Sequence, residues 1–119
     1  MATHNDLGLE GEIMASAYLV KKGFVIREKN WRFHRAEIDI IAQKGKILSV
    51  VEVKTRSSRL FGEPQDFITP QKIKLLKRAI NYYVQKEDLD VEVRFDVIAI
   101  VTNRFETSLV HLDDAFYHF

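Results

Sequence analysis

Cysteine is absent from the 119 residues, which excludes disulfide frameworks, thiolate nucleophiles, cysteine-based zinc sites and iron–sulfur ligation and is compatible with a reducing, cytoplasmic location. Net charge is almost absent as well: 18 Lys and Arg against 17 Asp and Glu leave +1. Attraction of the whole molecule to a polyanion is therefore unavailable, and any affinity for nucleic acid must come from local patches. The longest strongly apolar run, Val97–Val101, falls far short of the about 20 residues of a transmembrane helix, so no membrane partner is expected. Met1–Gly11 carries Asp6 and Glu10 where a signal peptide has a basic and then an apolar region, which again points to the cytoplasm. The four histidines, His4, His34, His111 and His118, show no ligand spacing and are expected to be incidental.

What remains is an ordinary globular composition, 46% hydrophobic and 29% charged, enough for one domain over residues 1–119. The near-neutral total hides a partition. From Lys21 to Arg35 six basic residues face only Glu28, a net +5. From Lys54 to Arg78 seven basic residues face Glu63 and Asp66, again +5, whereas Glu87 to Asp114 holds eight acids against Arg94 and Arg104, a net −6. Basic and acidic sides are expected, although solvated faces also carry charge runs.

Leu7, Leu9, Ile13, Ala17 and Val20 fit a buried helical stripe over Asn5–Lys22, interrupted early by Gly8 and Gly11 and closed by Gly23. Phe24–Phe33, Ala36–Gln43 and Lys46–Thr55 read as three strands of an antiparallel meander, the last two joined by a Lys44-Gly45 turn, and Arg56–Ile68 reads as a loop. Thr69-Pro70 supplies an N-cap and a proline at the first helical position, with Ile73, Leu76, Ile80 and Val84 as the buried stripe of a helix to Lys86. Glu92–Val101 contains Val97-Ile98-Ala99-Ile100-Val101, a run that looks buried on both faces beside a parallel neighbour. Strand, crossover helix and strand imply a right-handed βαβ unit. Ser108–Leu112 adds an edge strand, and Asp113–Phe119 a short helical turn. The order αβββαβ plus one strand predicts an α/β fold with a mixed central sheet flanked by helices.

Strand periodicity puts Glu37 and Asp39 on one face and Ile38 and Ile40 on the other, and likewise groups Glu52 with Lys54. With Lys44-Gly45 as the turn, Gln43 pairs with Lys46, Asp39 with Val50 and Glu37 with Glu52. A four-residue loop sets Asp39 opposite Glu52, and a three-residue loop separates them. Two of these three registers collect Glu37, Asp39, Glu52 and Lys54 on one face, where like charges destabilise a sheet unless something offsets them. Lys54 offsets one charge. Hard oxygen donors without cysteine or a histidine pair suit Mg²⁺ or Mn²⁺ rather than Zn²⁺ for the rest. The competing reading is a solvated, salt-bridged sheet face, but Glu52 and Lys54 lie in the apolar stretch Ser49-Val50-Val51-Glu52-Val53-Lys54, where unpaired charge is costly.

Asp39 followed by Glu52-Val53-Lys54, with Glu12 on the first helix, resembles the D…ExK signature of the PD-(D/E)XK nuclease superfamily, the restriction endonuclease-like fold. More narrowly, Gly8-x-x-Gly11-Glu12, Asn30-x-Arg32, Glu37-Ile38-Asp39, Val51-Glu52-Val53-Lys54-Thr55-Arg56, the Pro70–Tyr83 helix and Arg94-Phe95-Asp96 resemble the YraN-like family of bacterial proteins, predicted to be endonuclease-related and similar to archaeal Holliday junction resolvases. Ala36 stands where that family commonly has glycine. The resemblance implies a restriction endonuclease-like αβββαβ core and divalent-metal-dependent cleavage of DNA, branched or junction DNA included. Asp39, Glu52 and the Val53 carbonyl would be the metal ligands, with Mg²⁺ or Mn²⁺ as cofactor. Lys54 would orient the attacking water and stabilise the developing charge, and Glu12 would hold a metal-bound water or a second ion. Arg56, Arg59, Gln71, Lys72 and Lys74 would contact phosphates, which fix register without reading sequence. Trp31 is the aromatic best placed to stack on a base, and two copies in a two-fold homodimer would present two sites to a junction.

Two other classes remain open: a nucleic-acid-binding module that keeps the fold without cleaving, and a protein–protein adaptor using the acidic Glu87–Asp114 side. A carboxylate pair beside Lys54 has no electrostatic use in a module that only binds phosphate, which favours the enzyme.

Overall fold

In a computed structural model, residues 4–58 and 68–115 are described. They form α1 (His4–Lys21), β1 (Val25–Phe33), β2 (Ala36–Lys44), β3 (Ile47–Arg56), α2 (Pro70–Lys86), β4 (Glu92–Thr102) and β5 (Thr107–Leu112). The strands lie in one sheet in the order β1-β2-β3-β4-β5. β3 and β4 are parallel and every other pair is antiparallel, so the expected mixed α/β sheet is present, compatible with a restriction endonuclease-like core. α2 is the crossover that a parallel β3–β4 pair requires.

The helices cover opposite faces. Ile73, Leu76, Ala79, Ile80 and Tyr83 of α2 pack with Ile41, Leu48, Val50 and Val97, whereas Ala15 and Leu19 of α1 pack with Ile40, Ala42, Val51, Ile98 and Ile100. Buried on both sides, β3 and β4 need apolar residues at successive positions, which explains Val50-Val51 and Val97-Ile98. α2 begins as its sequence dictates: Thr69 is extended and its hydroxyl accepts from the Lys72 N–H at 3.1 Å. α1 ends at Gly23, φ 96°, where the Gly23 and Phe24 N–H groups donate to the Val20 and Leu19 carbonyls and Phe24 packs in the same core as Leu19. These are the two hydrogen bonds and the apolar contact of a Schellman stop.

The α1 stripe differs from expectation. Gly11, Ala15, Ser16 and Leu19 are buried, while Leu9, Ile13 and Val20 are 59%, 57% and 58% exposed. Small residues face the sheet because α1 lies close to β3: a Cβ on Gly11 would sit 1.8 Å from Thr55 Oγ1. Neither Gly8 nor Gly11 interrupts the helix. Around β2 two further expectations change. The turn is Gly45-Lys46, with Lys44 paired to Ile47 and Ile40 to Val51. The face alternation also breaks at Asp39, since Ile38 packs on the α2 side and Ile40 on the α1 side. Asn30, opposite Asp39 on β1, has φ 51° and both are skipped by the β1–β2 pairing, as an irregularity that re-aims one side chain would produce.

After β5 the chain turns over residues 113–115, and the Ala115 N–H donates to the Phe95 carbonyl at 2.7 Å. The remainder of the expected C-terminal turn, residues 116–119, lies outside the described residues, as does 59–67 of the expected loop.

Candidate active site

The pairing of β2 with β3 stops at Ile40–Val51, yet β2 continues to Ala36 along β1 and β3 continues to Arg56 along β4. The two middle strands therefore part company, and the sheet is split at this end. Asp39 and Glu52 are the first residues beyond the last pair. Asp39 spans the split with its side chain, Oδ2 accepting from the Val53 N–H at 2.8 Å. The strand irregularity at Asp39 thus turns a backbone gap into a side-chain clasp.

Glu52 is 4% exposed, and Oε1 meets Lys72 Nζ from the first turn of α2 at 2.5 Å. Asp39 and Glu52 lie near enough for the charge of one to bear on the other. Burial first, and then the Glu52 charge, push the Asp39 carboxyl up from 3.8 to about 7; the Val53 N–H pulls it down, while the closeness of Glu52 and the Glu12 charge add to the rise. Burial lowers the Lys54 ammonium, an effect opposed by Glu52 and reinforced by the neighbouring Lys72. Lys72 itself is raised: burial works against it, but its hydrogen bond and attraction to Glu52 prevail. Glu12 comes from the other face on α1, half-buried, its Oε2 accepting from Asn30 Nδ2 at 3.1 Å. The close approach of Gly11 to Thr55 brings it there.

Glu12, Asp39, Glu52, Val53 and Lys54 are thus grouped around the split. Glu37 is drawn away by a 2.7 Å ion pair with Arg32. Lys72, expected among the phosphate contacts, lies within the carboxylate cluster. Arg56 donates to the Thr55 carbonyl, Gln71 and Lys74 are exposed on α2, and Arg59 lies outside the described residues. Trp31 is engaged by Phe33, Tyr82 and Tyr83. Among the described residues no three carboxylate, histidine or cysteine side chains form a ready-made metal cage. The donor set at the split is the Asp39–Glu52 pair, with Glu12 felt through its charge. Two hard-oxygen groups whose charges oppose one another at close range suit a divalent cation between them.

A second polar cluster was not legible. Asp96, fully enclosed, accepts from Ser49 Oγ at 2.6 Å, Arg94 Nε at 2.9 Å and the Asp114 N–H at 3.1 Å, with His111 Nε2 at 2.9 Å. Burial raises the Asp96 carboxyl, but the His111, Arg94 and Ser49 hydrogen bonds outweigh it and hold the group down at about 2. The Tyr18 hydroxyl hydrogen-bonds the other ring nitrogen of His111 at 3.0 Å. His111 is therefore a structural residue. The available signal was Ser49 interrupting an apolar strand, but its partners emerge only with the β3–β4 register, which sets Ser49 beside Arg94.

The model of a family described as uncharacterised, UPF0102, matches residues 11–100. A UPF0102 protein of Flavobacterium psychrophilum is 59% identical over 119 residues, the whole of both chains. One of Christiangramia forsetii is 51% identical over the same full length, and one of Bacteroides thetaiotaomicron is 44% identical over 117 residues, covering 98% of this chain and 97% of its own. The matched segment includes Glu12, Asp39, Glu52 and Lys54, and the chain belongs to the UPF0102 family, the YraN-like proteins that its sequence blocks resemble.

Proposed function

We propose that this protein is a divalent-metal-dependent endonuclease of the PD-(D/E)XK type, hydrolysing phosphodiester bonds in DNA. The observation that carries the reading is the Asp39–Glu52 pair at the split of the sheet, Glu52 buried and Asp39 half-buried, flanked by Lys54 and Lys72. A fold gains no stability from two facing carboxylates, so their presence at the split is better explained by chemistry than by packing.

Asp39, Glu52 and the Val53 carbonyl would hold Mg²⁺ or Mn²⁺. When bound, such an ion polarises a phosphate oxygen and makes water a better nucleophile. The chain's own groups do the remaining work. Lys72 orients Glu52 through its ion pair. Lys54 Nζ, half-buried beside Glu52, donates hydrogen bonds to the oxygen on which negative charge grows, an effect that burial strengthens. Glu12, fixed by Asn30 on the α1 side, would help to hold a metal-bound water or a second ion.

The test is cleavage of linear duplex, single-stranded and four-way DNA with Mg²⁺ or Mn²⁺ and with chelator. Hydrolysis should require metal and fall at least 100-fold in Lys54→Ala, while DNA affinity changes by about one phosphate contact's share. Asp39→Asn should lose hydrolysis but fold at least as stably, because the amide still accepts from the Val53 N–H while the like charge is relieved. No metal-dependent cleavage of any substrate, or full activity in Lys54→Ala, overturns the reading. The alternative of a non-cleaving binding module draws on the Lys72–Glu52 ion pair, which already satisfies one Glu52 oxygen. Of the acids behind the adaptor reading, Asp96 is enclosed and Asp90 and Glu87 pair with Lys46 and Arg27, while Asp88, Glu92, Glu106, Asp113 and Asp114 are exposed.

A further inference from the structure

Beside the split, the outer side of α2 and the turn joining β1 to β2 enclose a groove that the carboxylate site does not use. Gln71, Lys74, Leu75 and Arg78 recur at helical spacing and so form one stripe leading away from Lys72. Two cavities of about 350 Å³ each share Arg35, Leu75 and Arg78 in their walls and so make one continuous groove. Phe33 and Leu75 give it an apolar floor, and Arg35, Lys74 and Arg78 line its rim. All three cations are exposed, and among the described residues none has a carboxylate partner.

We propose that this groove binds an unpaired DNA strand, with phosphates along Arg35, Lys74 and Arg78 and a base against the Phe33–Leu75 floor, and leads that strand to the carboxylate pair. The inference deepens the nuclease reading and rests on it. The floor supplies the discrimination. A flat apolar base face matches it, whereas a duplex hides its base faces in the stack and an acidic peptide has none to offer. The floor is also stiff: the Phe33 ring stacks on Tyr82 at 4.5 Å and on Trp31 at 6.2 Å, so little side-chain freedom is lost on binding.

The test is equilibrium binding of a labelled 12-nucleotide oligothymidylate to the full chain with chelator present, so that cleavage plays no part. Arg35→Ala and Arg78→Ala, both at exposed positions and verified by an unchanged melting temperature, should each weaken binding about fivefold. Each should also flatten the salt dependence by about 0.7 in the log–log slope. Lys77→Ala, on the same helix but outside the groove, should change affinity less than twofold. An abasic strand of equal length should bind at least fivefold more weakly than oligothymidylate, and a 12-base-pair duplex more weakly still. Oligouridylate should bind within a few-fold, because the groove meets phosphate and base rather than sugar. Wild-type affinity in both arginine variants, duplex binding as tight as single strand, a tenfold preference for oligouridylate, or displacement by polyglutamate as effective as by unlabelled oligothymidylate would each overturn the assignment. Metal-dependent hydrolysis that survives such a failure leaves the nuclease reading intact. Groove binding without any hydrolysis removes the nuclease reading and keeps the strand site.

Discussion

Asp39 is half-buried and Asp96 fully buried, and the two carboxyls shift in opposite directions. Burial and then the charges of Glu52 and Glu12 raise Asp39 to about 7; for Asp96 burial works the same way, but hydrogen bonds from His111, Arg94, Ser49 and a backbone N–H outweigh it and hold it at about 2. For Asp96 the sign follows from linkage. A carboxyl that is more acidic folded than unfolded contributes its stability above the unfolded value of 3.8 and loses it as pH drops through the folded value near 2. At about 1.4 kcal/mol per pKa unit this is about 2 kcal/mol. Urea unfolding followed from pH 6 to pH 2 should show that loss below about pH 4.5, and Asp96→Asn, although less stable throughout, should show a shallower acid limb. An identical limb in wild type and variant would remove the network from the account of acid stability.

At the scale of elements, α1 carries the most instructive disagreement between sequence and structure. Its apolar residues fall on two sides, and periodicity alone selected the side with Leu7, Leu9, Ile13, Ala17 and Val20, of which all but Leu7 are exposed. The sheet instead demanded the small ones, because Gly11 meets Thr55 and leaves no space for bulk. Close approach of two backbones is a tertiary fact with no local period. α2, by contrast, was legible from end to end, since Thr69, Pro70 and its apolar spacing all act within the helix. The carboxylate pair was legible in kind, because charges inside an apolar strand are conspicuous. Its register was not, as the turn moved by one residue and the alternation broke at Asp39. The two early glycines offer a matched check. A Cβ on Gly8 meets nothing within 4 Å, so Gly8→Ala should stabilise by about 0.5–1 kcal/mol through helix propensity. Gly11→Ala should destabilise by about 1–3 kcal/mol and recover part of that in combination with Thr55→Ala. Denaturant midpoints read both. Equal effects of the two substitutions would mean that α1 does not press on β3.

Over the whole molecule, the split divides the sheet into a β1–β2 half and a β3–β4–β5 half, joined by five residue pairs beside the Gly45-Lys46 turn. In mechanical terms this is a pair of jaws hinged at one end, with Asp39 on one jaw and Glu52 on the other. The Asp39–Val53 hydrogen bond is a latch set just past the hinge. A small rotation about the hinge would be amplified toward the tips, so opening between the jaws is the motion that this pairing leaves least opposed by backbone hydrogen bonds. Releasing the latch in Asp39→Ala should therefore speed amide hydrogen exchange at Val53 by tenfold or more while leaving Leu48 and Val50, on the hinge side, unchanged. Uniform acceleration along β3 would mean that the strand loosens as one piece and that no hinge exists. If the jaws do pivot there, whatever bridges Asp39 and Glu52 acts as a brace, and the width of the opening becomes a quantity that its occupant sets.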